Sequence, residues 1–309
     1  MHCIIAYAAS ERWPLQVLQD LQLPQLHRLL SQLQPLQRDE DDPEPLPPAQ
    51  MPHERAHARA LGWRLDQPLP WAALTPGAAD PVHPAVQAWF TPCHWQIGMD
   101  QVVMLDPDQL QLSDQESQAL LEAMQPFMRE DGLQARWHSA LQWHVQGPVL
   151  ADVHAVSPDR VIGQNVKPWI TDGHLPPVLR RLQSEMQMLL YQHPVNDARL
   201  AHGQLPVNAL WVHGAGSPQP VTRPTETVRL CTELRTPALH QDLMAWQAAW
   251  QALDETVLGP LAPGIESLTL CSESVAETWT RGAMPWRTRL RRLWRPLNPA
   301  TALSALITS

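Results

Sequence analysis

Short apolar runs and helix-spaced apolar stripes alternate along this chain. Residues 2–8 (HCIIAYA) form a compact β-branched run bounded by small and polar residues, which predicts a buried first strand. Leu26, Leu29, Leu30 and Leu33 follow at helical spacing behind Pro24. Residues 35–50, rich in proline and acid, read as a loop. Residues 52–63 read as a short helix opened by Pro52, and 64–84 as irregular chain.

The middle of the chain is more regular. Residues 93–97 and 101–105 predict two strands joined through Gly98. Ser113 and Glu116 stand at capping-box spacing, so a helix starts at Ser113, with Ala119, Leu120, Ala123, Met124 and Phe127 inward. A second strand pair is expected at 133–137 and 140–145. A helix over 176–191 turns Val178, Leu179, Leu182, Met186, Leu189 and Leu190 inward. VNALWV (207–212) is a strand that runs into Gly214-Ala215-Gly216. A long helix over 238–258 and a buried strand IESLTLC (265–271) complete the series. Strands alternating with helices of this length predict an α/β fold with a mixed or parallel sheet flanked by helices. No internal repeat is visible.

Composition narrows the function classes. Hydrophobic residues make up 44% of the 309, enough for a folded core. The 32 prolines break the chain often, as at Pro47-Pro48 and Pro176-Pro177. A formal charge of −9 argues against nucleic acid as a partner, because phosphate contacts need a basic face. Cys3, Cys93, Cys231 and Cys271 are widely spaced and form no Cys-x-x-Cys pair. They suggest neither a disulfide framework nor a zinc knuckle, and the expected compartment is the reducing cytoplasm. The first residues lack the basic start of a signal peptide, and no run of about 18 apolar residues predicts a membrane span.

Charge is unevenly spread. Residues 39–44 hold Asp39, Glu40, Asp41, Asp42 and Glu44, read as a solvated run, whereas 281–295 hold six arginines and no acid. In that basic stretch Trp286, Leu290, Leu293, Trp294 and Leu297 share a helical face. Arg287, Arg291, Arg292 and Arg295 lie largely elsewhere. The pattern suits docking to an anionic membrane surface or an acidic protein partner; the alternative is a terminal helix packed on the domain.

His53-Glu54-Arg55-Ala56-His57 is a literal H-E-x-x-H, which on a helix would set two imidazoles on one face with Glu54 as a base for zinc-bound water. No third ligand follows, so no metal is assigned and the segment reads as a solvated helix start. Cys93 and His94 are adjacent on a strand and point to opposite faces, which makes them structural.

Three blocks carry a resemblance to a known family. CHWQIGMDQVVMLDPDQLQLSDQESQALLEAM, SPDRVIGQN and, most specifically, HPVNDARLAHGQLPVNALWVHGAG are similar to the archaeal-type cofactor-independent phosphoglycerate mutases of the alkaline phosphatase superfamily. The order also resembles the divergent proteobacterial group labelled regulatory protein RpfE type. The resemblance implies an alkaline-phosphatase-like core over 1–92 and 150–280, a smaller inserted α+β unit over 93–149, and a basic amphipathic tail over 281–309.

The family binds two divalent metals, with an Asp-Gly after the first strand and an Asp-His after the last. Here those places hold Ala6-Tyr7-Ala8-Ala9 and Ser272-Glu273-Ser274, and the family's Pro-His-Asp turn has become Pro158-Asp159-Arg160. Ser10 could stand in as a displaced phospho-acceptor, but no neighbour in the sequence would activate it. The expectation is a protein with no catalytic residues and no cofactor that acts by binding. An active metal-dependent mutase or phosphotransferase with displaced ligands is the alternative.

A remnant pocket for a small phosphorylated ligand would draw on Asp159, Arg160, His193, Asn196, Arg199, Asn208, Trp211, His213, Gly214 and Gly216. The competing reading makes the glycines a tight turn, Trp211 a core residue, and Pro194 and Asn196 part of a helix terminus.

Overall fold

The structure is a computed structural model that describes residues 1–42, 46–75, 85–171, 175–222, 225–282 and 298–307. Backbone contacts divide the chain into two units, Met1–Trp63 with Val221–Ser309, and Arg64–Pro220. The strands, in chain order, are β1 His2–Ile5, β2 Gln34–Glu40, β3 Gln87–Cys93, β4 Trp95–Ile97, β5 Val102–Met104 and β6 Gln134–Ser139. They continue with β7 Gln142–Gln146, β8 Ala209–Gly216, β9 Val228–Cys231, β10 Ser267–Cys271 and β11 Val275–Thr280.

In the first unit five strands lie in the order β2-β11-β10-β1-β9. β1 runs parallel to both β9 and β10, while β11 is antiparallel to β10 and to β2. The apolar runs of β1 and β10 reflect this central place, since a parallel strand is covered on both faces. On one face Cys3, Ile5, Leu268 and Leu270 pack with Leu26, Leu29, Leu30, Trp246 and Trp250. On the other Ile4 and Cys271 meet Ala56 and Ala60 of the helix Pro52–Leu61. The unit is thus a mixed α/β layer structure, as the alternation of patterns predicted.

Three local readings need correction. The expected loop at 35–50 begins with β2, an exposed edge strand. Its polarity hid it, and its Pro35 is tolerated at an edge where a ladder donor is dispensable. The acidic run beside it is not merely solvated: Asp39 and Asp41 pair with the buried Arg55 at 3.0 and 2.7 Å, and Asp39 also pairs with Arg59 at 2.6 Å. The helix expected over 238–258 is interrupted. Gln241 takes a left-handed φ of 57°, Asp242 caps a new start by accepting from Ala245 N–H, and Leu243–Leu253 passes into a wider turn at Asp254–Leu258.

In the second unit β6-β7-β3-β8 form an antiparallel sheet, with β4–β5 as a separate hairpin. The Ser113 capping box is present, and the helix Asp114–Glu130 it opens buries Leu120, Leu121, Met124 and Met128. Phe127, expected inward, is 37% exposed. The helix Pro177–Tyr191 adds Leu179, Leu182, Met186 and Leu190 to the same core, against Phe90, Trp143, Leu210 and Val212.

β3 is buried throughout, yet the sequence reading placed only its last residue in a strand. Its Pro92 lies beyond the end of pairing with β7, so no ladder donor is lost there. This pairing also moves the expected domain boundaries. Residues 93 and 149 both fall inside the second unit, because β3 is hydrogen-bonded to β7 and β8. Likewise the stretch expected as a tail over 281–309 ends in a core helix. Pro299–Ser304, capped by Asn298, buries Ala302 and Leu303 in the first unit.

Candidate functional site

Carboxyl ends of parallel strands are where α/β sheets usually hold ligands. In the first unit that edge is built by the turn after β1 and the turn after β10. Ala6 N–H donates to Cys231 O at 3.0 Å, and Ala8 N–H to Cys271 O at 2.6 Å, so the turn is tied to both neighbouring strands. Tyr7 sits between them with a left-handed φ of 56°, a conformation that glycine adopts without strain and tyrosine rarely does. Its ring lies 5.7 Å from that of His53.

The turn is closed over. Trp246 and Trp250 donate their indole N–H groups to Tyr7 O and Ala8 O, each at 3.0 Å. Trp13 packs 4.4 Å from Trp246, and Ala6 through Ala9 are at most 1% exposed. Backbone carbonyls that could face a ligand are instead satisfied inside a hydrophobic core.

Beyond the turn, Ser10 is wholly buried and donates its hydroxyl to Glu273 Oε1 at 2.5 Å. Arg12 N–H donates to Ser10 Oγ at 3.3 Å, and Glu11 N–H to Glu273 Oε2 at 3.4 Å. Ser274 returns the pattern by donating to Glu11 Oε1. Two Ser–Glu contacts therefore cross-tie the ends of β1 and β10. Burial pushes the Glu273 carboxyl above its ordinary range, against the opposing pull of the Ser10 hydroxyl. Sequence reasoning left Ser10 without a neighbour; the structure places the Glu273 carboxyl beside it, from 263 residues away, a distance at which local pattern carries no signal. Ser272, also wholly enclosed, donates to Leu306 O at 2.9 Å and accepts from Val275 N–H.

These residues do not fit the two-metal centre that the family resemblance implies. Ala6–Ala9 offer no ligand side chain, and Glu273 is engaged by Ser10. Among the described residues no three His, Cys, Asp or Glu side chains are grouped as a metal site. The H-E-x-x-H segment lies on a helix as expected, but Glu54 accepts from Met51 N–H at 2.8 Å as part of the helix start. Burial lowers the His57 pKa, and His53 is buried beside Tyr7. The solvated helix start expected there is therefore mostly enclosed.

The residues of the expected remnant pocket belong to the second unit, and the polar atoms of His193, Asn196, Arg199, Asn208, Trp211 and His213 go to separate segments. Asp159 and Arg160 lie half-buried on the short helix Pro158–Val161. His193 caps the helix Pro194–Ala201 by accepting from Val195 N–H. Asn196 bonds to Leu190 O and to both Val207 O and Val207 N–H. Arg199 has no exposed surface; it donates to Leu205 O, Leu110 O and Glu116 Oε1.

Along β8 the same pattern holds. Asn208 clasps Trp95 through its N–H and its carbonyl, Trp211 donates to Val156 O, and His213 contacts Thr91 Oγ1 at 2.9 Å. Gly214 has φ 59°, and a Cβ there would lie 3.1 Å from the Trp71 side chain. At Gly216 it would lie 3.2 Å from Pro70. Both glycines thus admit the close approach of residues 68–71. Cys93 is a buried thiol, and His94 turns away to Pro206 O at 2.8 Å. The docking residues Trp286, Arg287, Arg291, Arg292, Trp294 and Arg295 lie outside the described residues.

No family model matches this chain, and no curated protein does. Among solved structures, it is similar to a cofactor-independent phosphoglycerate mutase from Thermoplasma acidophilum, at 16% identity and a TM-score of 0.36, over 92% of this chain and 90% of that one. It is also similar to the PH0037 protein from Pyrococcus horikoshii, at 12% identity and a TM-score of 0.46, over 91% and 87% of the two chains. At these scores neither likeness bears on function.

Proposed function

We propose that this chain is a phosphoglycerate-mutase-like protein that has given up catalysis and acts by binding, as a regulatory protein of the cytoplasm. One observation carries the reading: the turn Ala6–Ala9, where the resembling family holds a metal-binding aspartate, is sealed beneath Trp246 and Trp250. No metal or other cofactor enters this reading. Its partner is an acidic protein or an anionic membrane surface met by the basic stretch around Arg287–Arg295. The test is direct. Purified protein incubated with manganese and desalted is expected to retain no stoichiometric metal and to leave 2- and 3-phosphoglycerate unconverted. Two retained ions, or turnover clearly above a Ser10→Ala control, would overturn it.

A second reading rests on the Ser10–Glu273 contact alone. In it Ser10 Oγ attacks the phosphorus of a phosphate ester and passes its proton to Glu273, while the bond to the substrate's ester oxygen breaks and Glu273 returns the proton to the departing alcohol. The complete burial of Ser10 weighs against it. The Ser10→Ala control separates the two readings.

A further inference from the structure

Away from the tryptophan-sealed turn, two thiols meet in the first unit. Cys3 on β1 and Cys231 on β9 have no exposed surface, and their sulfurs are 3.9 Å apart. The strands are adjacent and parallel, with Cys3 opposite Arg229 and Ile5 opposite Cys231. Both side chains enter the same core layer. The other two cysteines are elsewhere: Cys271 lies in the separate cluster with Ile4 and Ala56, and Cys93 ends β3 in the second unit.

A cleft of about 450 Å³ lies in the same unit, and neither cysteine lines it. Met1, Val228 and Arg229 line it together with Thr256, Val257, Pro260 and Leu261. Met1 also packs against the core layer that holds both thiols.

We propose that Cys3 and Cys231 form a two-sulfur site for a soft monovalent cation of the Cu(I) and Ag(I) class. Thiolates select such ions over hard divalent ones. A thiolate sulfur sits about 2.3 Å from zinc, and bonds of that order let two sulfurs flank one ion at roughly 4.6 Å. The observed 3.9 Å therefore needs an opening of less than an ångström. It is far longer than a disulfide bond of about 2.05 Å, so the pair is a dithiol. On binding, two S–H bonds break, two sulfur–metal bonds form, and both protons pass to solvent. The ion keeps its oxidation state. The complex carries one negative charge, which the Arg229 guanidinium beside Cys231 offsets.

Silver nitrate is the probe. Reduced full-length protein given one equivalent of Ag(I) and desalted is expected to retain one ion per chain, with two sulfur neighbours by X-ray absorption at the silver edge. Cys3→Ala and Cys231→Ala should each weaken binding about a hundredfold, as expected when one of two linked donors is lost. The Cys93→Ala/Cys271→Ala double variant should bind as the unaltered chain does. No retained silver, a single sulfur neighbour, or full retention by both single variants would overturn the site. The absorption measurement uses the unaltered chain, so it decides the question whether or not the variants fold well.

Discussion

Ser10 donates its hydroxyl to Glu273 Oε1 across 2.5 Å, and so joins the ends of two neighbouring parallel strands at the place where an α/β sheet would open to a ligand. The same ends are joined again by Ser274 and Glu11. With Trp246 and Trp250 over the intervening turn, this edge is occupied by the protein's own side chains. The left-handed Tyr7 is informative here. It holds a backbone geometry that glycine adopts without strain, and its ring packs against His53.

Burial raises the pKa of Glu273, and the hydroxyl that Ser10 donates to it pulls the other way. A carboxyl whose folded pKa lies above its unfolded value contributes most stability below the unfolded value, and that contribution is lost as pH rises through the folded one. Glu273→Gln keeps an acceptor for Ser10 and removes the buried charge. The variant should therefore melt higher at pH 7–8, by about 2–4 °C, the shift that about 1 kcal/mol produces in a domain of this size. The gain should vanish near pH 4. Thermal melts across this range, with equal melting of the two proteins at pH 8, would count against a buried carboxylate at this position.

Arg55 poses the opposite case. Burial alone would raise the pKa of Asp39, but Arg55 and Arg59 pull it below the usual carboxylate range. Here the contribution is present above the unfolded pKa and is lost as pH falls through the folded one. Arg55→Met should destabilise the chain by about 3–5 kcal/mol at pH 7, because two carboxylates lose an enclosed partner. The deficit should shrink below about pH 4, where the carboxylates protonate. Denaturant unfolding at both pH values measures it; a deficit independent of pH would assign the cost to lost packing instead.

How far the fold could be read beforehand depended on whether the deciding interaction was local. The Ser113–Glu116 capping box and the leucine stripe behind Pro24 are local, and the helices stand where those signals put them. β2 carries polar residues on an exposed edge and is defined by pairing to β11, more than 230 positions later in the chain. β3 was obscured by Pro92, which is harmless only because β7 has already ended there. The site shows the same division. The missing metal ligands at Ala6–Ala9 were legible residue by residue, whereas the partnership of Ser10 with Glu273 exists only once β1 and β10 are side by side.

Arg199 separates an anion site from an internal clasp. Its guanidinium is fully enclosed and bonded to Leu205 O, Leu110 O and Glu116 Oε1. Arg199→Met should then cost about 3–5 kcal/mol, since it strands buried acceptors and the Glu116 carboxylate. Arg199→Lys should rescue little of this, because an ammonium lacks the planar fork that reaches three acceptors. Phosphate at millimolar concentration should leave the melting temperature of the unaltered protein unchanged. A phosphate-dependent rise that Arg199→Met abolishes would restore the ligand-site reading.

The basic stretch calls for substitution, not deletion. Truncation before it would also remove Pro299–Ser304, whose Ala302 and Leu303 lie in the first unit's core, together with Leu306, whose carbonyl holds the buried Ser272. Such a truncation should unfold the unit, and its failure to bind anything would say nothing about docking. Replacing Arg287, Arg289, Arg291, Arg292 and Arg295 with Gln leaves that helix in place. Each basic side chain near an anionic bilayer contributes about 1 kcal/mol, so the five together dominate any docking to such a surface. The substituted protein should melt as the original does and should no longer co-sediment with phosphatidylserine vesicles. The original should bind them and be released steeply between about 0.05 and 0.5 M salt, as screening shortens the reach of its charges. A large fall in melting temperature on substitution, with no vesicle binding by the original, would show instead that these arginines serve the fold.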